Sequence, residues 1–230
     1  MIYLVREELI IQDGYIFVSN DESRYLLKVR RLKNGAEVTF CCNGKTYLTE
    51  LEIKKQIPCF KIVKEGTVTI SSNRLIVAIA AGDINAVEES IRNGVEAGVD
   101  EFYIFRSELS NTDTTLVEKR MKRLKTIIVT AASQSRRGHL PEINTSTFEE
   151  ISELEGDHIV FHPYVPDNFM SYSPEKMKDI VLWVGPEGGF TDKEIEVFKS
   201  KKFKIFSLKV PILRMENAVT VFSAFIRNLI

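Results

Sequence analysis

The alternation of hydrophobic and polar positions changes rhythm once along the chain. Over residues 1–70 the apolar residues come in short runs, which predict strands at 15–19, 37–42, 46–53 and 61–70. Asn34-Gly35, Asn43-Gly44 and Glu65-Gly66 mark the turns between them, and so many short strands in so little chain predict a small β-barrel. A helix is predicted over 23–32. From Asn73 the runs lengthen, and strands at 75–81, 101–105, 158–162, 180–184 and 204–208 alternate with helices at 83–97, 116–133, 192–200 and 216–229. Continuous apolar strands separated by helices are the pattern of an α/β domain whose mainly parallel sheet is covered on both faces. The change of texture divides the chain into 1–72 and 73–230.

Composition narrows the class. Of 230 residues, 44% are hydrophobic and 27% charged, enough apolar surface for a sizeable core and far from a disordered chain. Lys and Arg number 31 against 32 Asp and Glu, so any face for nucleic acid must be local. Cys41, Cys42 and Cys59 have neither disulfide-framework nor zinc spacing, which predicts a reducing, cytoplasmic compartment and no metal. Arg6, Glu7 and Glu8 stand where a signal peptide needs its apolar stretch, and no apolar run is long enough for a bilayer, so neither secretion nor membrane insertion is expected.

The strand at 180–184 runs into Gly185-Pro186-Glu187-Gly188-Gly189-Phe190, and Thr191 with Glu194 has capping-box spacing for a following helix. Backbone without Cβ atoms approaches a ligand closely, and ligands sit at the carboxyl ends of strands in such sheets. By composition alone an ordinary strand-to-helix loop reads the same. No dinucleotide fingerprint or triphosphate loop is present. A second loop, 208–218, leads into the last helix and places Arg214 and Glu216 at the junction, either as functional groups or as a surface pair and a helix start. Basic residues cluster at Arg24, Lys28, Arg30, Arg31 and Lys33, and again over 119–125. Like charges in a row usually mean a solvated face, whereas Gln134 and Arg137 could converge on a nucleobase or phosphate. Of the histidines, His162 ends a strand at the ligand side of the sheet.

Taken in order, Gly185 to Phe190, Ile212-Leu213-Arg214 with Glu216 and Ala218, and Gln134-Ser135-Arg136-Arg137 with Pro141 resemble the motifs of the 16S ribosomal RNA uridine N3-methyltransferases of the SPOUT superfamily. Residues 25–35 are similar to that family's amino-terminal H-L-x-x-V-L-R-x-x-x-G pattern, so the resemblance covers nearly the whole chain. It implies a PUA-like RNA-binding barrel over 1–72 and, over 73–230, a SPOUT domain whose carboxyl-terminal loops form a trefoil knot around S-adenosylmethionine, in a homodimer. His162, Val184, Gly185, Pro186, Glu187, Gly188, Gly189, Leu208, Val210, Ile212 and Leu213 would hold the cofactor. Arg24, Lys28, Arg30, Arg31, Gln134 and Arg137 would meet 16S ribosomal RNA or the small ribosomal subunit.

Methylation of uridine N3 requires loss of the imide proton and stabilisation of the resulting charge, a role assigned to Arg214, with Glu216 or solvent taking the proton. Lys209, Pro211, Met215, Asn217, Tyr25, Asn93, Ala97 and Leu109 depart from the family pattern. The alternative is a non-catalytic ribosomal RNA binder with a degenerate cofactor loop.

Overall fold

The computed structural model describes residues 2–54, 57–163, 165, 169, 172–174, 178–208 and 210–230; Lys209 lies outside the described residues. The chain forms two compact units, Met1–Ile70 with Ala132–Leu140, and Ser71–Ala131 with Pro141–Ile230.

In the first unit β1 (Ile2–Val5), β2 (Ile10–Gln12), β3 (Tyr15–Phe17), β4 (Glu37–Cys42), β5 (Lys45–Lys54) and β6 (Ile57–Thr67) make one sheet in the order β1-β4-β5-β6-β3-β2. Its pairs are antiparallel except β1 with β4. Leu4, Ile16, Leu26, Val38, Phe40, Leu51 and Phe60 form the core, with Phe40 edge-on to Phe60 at 5.0 Å. The turn expected at Glu65-Gly66 does not occur there. Gly66 continues β6 opposite Thr46, where a Cβ would lie 2.9 Å from the Thr46 hydroxyl, so this glycine marks a close approach inside a strand.

The helix expected over 23–32 also starts earlier and is shorter. Ser19 caps α1 (Asn20–Arg24) by accepting from the Glu22 N–H at 3.2 Å, and a single π-helical turn, Tyr25–Val29, follows. Arg31 then turns the chain at φ +53°. Only Leu26 of this stretch is buried, so the segment has too little apolar surface to sustain a longer helix against the core. The segment 132–140 completes the unit: the Val5 N–H donates to Ser133 Oγ at 3.0 Å, and the Gly44 N–H to the Gly138 carbonyl at 2.7 Å.

The second unit contains β7 (Leu75–Ala80), α2 (Ile84–Glu96), β8 (Glu101–Phe105), α3 (Thr114–Gln134), β9 (Glu142–Thr145), α4 (Phe148–Ser152), β10 (Asp157–Phe161), β11 (Ile180–Val184), α5 (Asp192–Ser200), β12 (Lys204–Phe206) and α6 (Met215–Arg227). The last residues of α3 belong to the first unit. The sheet order is β12-β10-β11-β7-β8-β9, and every pair is parallel. All residues of the central strands β7 and β11 are buried, as a sheet covered on both faces requires.

An aromatic core occupies one face, with Phe105 edge-on to Trp183 at 5.2 Å and His158 stacked on Phe203 at 4.2 Å. The Trp183 indole N–H donates to His158 Nδ1 at 3.0 Å, and His158 Nε2 meets the Leu154 carbonyl at 2.9 Å. An indole can only donate and a carbonyl only accept, so these bonds fix His158 as the neutral Nε2–H tautomer. Burial, as the largest effect, holds its pKa below the ordinary histidine value. At the other end Arg227 donates to the Gly98 and Asn73 carbonyls and pairs with Asp100, fastening α6 to the sheet's amino-terminal edge. No helix among the described residues is long and apolar enough to cross a membrane.

Candidate functional site

The neighbouring strands β12, β10 and β11 end side by side, and the segments that follow them surround one cavity of about 990 Å³. His162 follows β10; Val184, Gly185, Pro186, Glu187, Gly188 and Gly189 end and follow β11; Leu208, Val210, Ile212, Leu213, Arg214 and Glu216 follow β12; all line this cavity. The residues expected to hold a cofactor and those expected to do chemistry are thus brought together.

Glycines make the β11 turn possible. The Gly189 N–H donates to the Pro186 carbonyl at 2.8 Å, and Gly189 itself has φ +71°, a conformation that favours a residue without Cβ. A Cβ on Gly185 would stand 3.0 Å from the Gly189 carbonyl carbon and 3.3 Å from the Phe190 nitrogen, so any larger residue there would push the backbone of the turn outward. The turn then enters α5 through a full capping box, Thr191 with Glu194.

Glu187 ties the turn to the start of α2. Its carboxylate accepts from the Asp83 N–H at 3.1 Å, and Gly82 makes room for it, since a Cβ there would lie 2.6 Å from Oε2. Asp83 in turn caps α2 through the Asn85 and Ala86 N–H groups, and Ala86 reaches the cavity.

Arg214 occupies the N-cap position of α6, where its carbonyl accepts from the Ala218 N–H at 2.8 Å. Its side chain is exposed and makes no ion pair among the described residues. Glu216 is half-buried in the first turn of α6, where the helix dipole favours a carboxylate. Among the described lining residues, the carboxylates of Glu187, Asp192 and Glu216 outnumber the one guanidinium, Arg214. Burial, the largest effect, holds the His162 pKa below its ordinary value, so that ring is neutral near pH 7.

Several lining residues escaped the sequence reading. Phe161, Phe206 and Phe222 form an aromatic wall in which Phe161 and Phe222 stack with centroids 3.3 Å apart, and Pro163 and Ser207 add to the rim. Apolar side chains at strand ends look like core, so no local pattern separates these from ordinary packing.

The residues expected to meet RNA lie elsewhere, in the first compact unit, and none lines the cavity. Arg24, Lys28, Arg30 and Arg31 are exposed on α1, the π-turn and the bend after it; Gln134 is exposed at the end of α3; Arg137 lies near His139 at 3.3 Å. The basic run 119–125 is partly accounted for by structure, because Arg123 and Arg120 pair with the buried Glu88 of α2 at 2.6 and 3.7 Å.

Comparison with known proteins places this arrangement. The Ribosomal RNA small subunit methyltransferase E of Aquifex aeolicus is 29% identical over 212 residues, 87% of this chain and 89% of that protein. The Ribosomal RNA small subunit methyltransferase E 2 of Borreliella burgdorferi is 25% identical over 229 residues, 96% of this chain and 92% of its own. Among solved structures, the Ribosomal RNA small subunit methyltransferase E of Neisseria gonorrhoeae, bound to S-adenosyl methionine, superposes with a TM-score of 0.86 at 22% identity, covering 100% of this chain and 98% of that one. A Legionella pneumophila methyltransferase in complex with the cofactor SAM gives 0.86 at 23% identity over 99% and 97% of the two chains. These two establish the fold. Residues 18–62 match the RNA methyltransferase PUA domain and residues 70–227 the RNA methyltransferase domain, so the chain belongs to the RNA methyltransferase family.

Proposed function

We propose that the protein transfers a methyl group from S-adenosylmethionine to N3 of a uridine in 16S ribosomal RNA. The observation that carries this reading is the convergence of the β10, β11 and β12 segments, with Arg214 and Glu216, on one cavity at the carboxyl edge of the parallel sheet. Its size suits a nucleoside-bearing cofactor, and its glycines leave backbone N–H groups reachable. When bound, the sulfonium supplies an electrophilic methyl group. The backbone of 185–189 and 208–213 holds and orients the donor, and the Phe161–Phe222 wall keeps water from that side. Arg214, free of any protein carboxylate among the described residues, stabilises the charge that spreads onto the uridine carbonyl oxygens as the N3 proton leaves; Glu216, two residues on in the same lining, or solvent takes that proton.

The residues 1–72, with Arg24, Lys28, Arg30 and Arg31, together with Gln134 and Arg137, serve to bind RNA, and 73–230 carries the chemistry. A cytoplasmic homodimer fits this reading: Phe225 and Leu229 remain 43% and 46% exposed around the end of α6, and Ile212 at the cavity rim is 73% exposed. A monomeric mass in light scattering at micromolar concentration would remove the dimer.

Mass spectrometry of ribosomal RNA nucleosides from cells lacking the gene tests the reaction. 3-Methyluridine should disappear and return on complementation; its persistence overturns the assignment. A thermal shift with S-adenosylmethionine separates the enzyme from a non-catalytic RNA binder, since saturation at a hundredfold excess over Kd adds about 2.7 kcal/mol to stability.

A further inference from the structure

Several cations of the second unit are held by carboxylates. Arg74 is held by Asp179 and Glu101, Arg123 by Glu88, Lys204 by Asp157, and Arg227 by Asp100. The stretch 24–33 is different: Arg24, Lys28, Arg30, Arg31 and Lys33 are all exposed, and none makes an ion pair among the described residues. Glu22, one of the acidic residues just before this stretch, is engaged elsewhere, accepting from Arg6 Nε at 2.9 Å.

Within this cluster sit two large apolar side chains that the core does not use. Tyr25 is 45% exposed and Val29, one turn on, is 65% exposed, while Leu26 between them is fully buried and anchors the turn. The π-helical hydrogen bond from the Arg30 N–H to the Tyr25 carbonyl, 2.9 Å, puts Arg30 directly over the residue that carries the ring. Arg31 follows in a left-handed conformation at φ +53° that most side chains avoid, so the chain turns sharply while still presenting a guanidinium.

An aromatic face set among unpaired cations has a specific chemistry. The cations alone would suit any polyanion, but a π-face beside them suits an unstacked nucleobase whose flanking phosphates reach the cations. A base inside a duplex has no free face to offer. We propose that Tyr25 is a base-stacking platform, with Val29 extending its apolar floor, that binds an unpaired nucleotide of the RNA while Lys28, Arg30 and Arg31 hold the adjoining phosphates. The proposal rests on the RNA methyltransferase reading and adds to it the class of substrate feature recognised, single-stranded RNA, and the residue that recognises it.

Fluorescence anisotropy of fluorescein-labelled poly(U) over a salt series tests this with the full-length protein. Tyr25→Leu, which keeps apolar bulk and loses the π-face, should weaken binding about 5- to 150-fold with the salt slope unchanged, and Tyr25→Phe should bind as wild type. Lys28→Ala with Arg30→Ala should instead flatten the slope. A poly(A)·poly(U) duplex should be insensitive to Tyr25→Leu. The proposal is overturned if Tyr25→Leu binds poly(U) like wild type, if it loses duplex and single strand equally, or if polyglutamate competes as well as RNA, which would mean the cluster reads charge alone. Calorimetry with S-adenosylmethionine on the same samples keeps the two readings apart: absent donor binding in the wild type would sink the methyltransferase reading and leave the stacking result standing.

Discussion

Replacing Gly82 with alanine puts a methyl group where the Glu187 carboxylate now rests. The new Cβ would lie 2.6 Å from Oε2 and 2.8 Å from Oε1, both far inside contact distance. The obstructed group is the end of an exposed side chain, so the backbone stays and the carboxylate swings away, giving up its bond from the Asp83 N–H. A hydrogen bond to a charged group contributes about 1.5–3 kcal/mol, and exposure puts this one at the lower end. Alanine returns about 0.4–1 kcal/mol through the unfolded chain, which leaves a net loss near 1 kcal/mol and an intact fold.

The effect on the site is larger than the effect on the fold. If this tether is what holds the Gly185–Gly189 turn in its binding form, releasing about 1.5 kcal/mol lowers donor affinity about tenfold. Calorimetric titration of S-adenosylmethionine into wild type, Gly82→Ala, Glu187→Ala and the double variant reads this directly. Both single variants should bind about tenfold more weakly, and the double variant no worse than either, because both cut the same link. Wild-type affinity in Gly82→Ala, or losses that simply add, would refute the tether.

Further outcomes follow from the same structure. His158→Phe strands the Trp183 N–H and the Leu154 carbonyl in the core, so urea unfolding at neutral pH should show a loss of about 1–3 kcal/mol for each group left bare. Because burial holds the His158 pKa below its unfolded value, the unfolded chain binds the extra proton first; wild-type stability should fall as pH drops below about 6.5, and His158→Phe should lose that part of the slope. Gly188→Val meets the exposed Leu109 side chain, its Cδ1 at 3.2 Å and its Cβ at 3.3 Å, which must give by a few tenths of an ångström; its unfolding midpoint should stay near wild type while calorimetry shows donor binding abolished. Arg227→Met removes the cationic partner of Asp100, leaving it the bond from the Leu75 N–H, and takes the guanidinium from the Gly98 carbonyl; it should lower the unfolding free energy by about 3 kcal/mol in urea titration.

The legible parts of the chain were those whose signal is local. β7 and β11 announce themselves because strands buried on both faces must be apolar at every position, and the β11 turn because glycines and a capping box stand together. β1, β2 and β9 were not read from the sequence. Each is at most four residues long, and β9 buries only Ile143, so its strand character comes from pairing with β8. α4 could have been found, since Thr147 and Glu150 form a capping box that the sequence spells out. The early start of α1 was likewise signalled by Ser19 and Glu22 at the same spacing. The aromatic wall of the cavity had no such marker, because a phenylalanine that faces a ligand and one that faces a core leave the same trace.

The return of residues 132–140 to the first unit sets an order of events during synthesis. Val5, Cys41 and Gly44 find their partners in Ser133 and Gly138, which leave the ribosome only after the first half of the second unit has been made. The amino-terminal sheet can begin to form early, yet it must wait, with those groups open to water, until residue 140 has emerged. A fragment cut after Ile70 is therefore not an independent piece of this protein: it should be soluble only as far as water can stand in for that missing strap, and RNA affinities measured on it would describe a different, looser object.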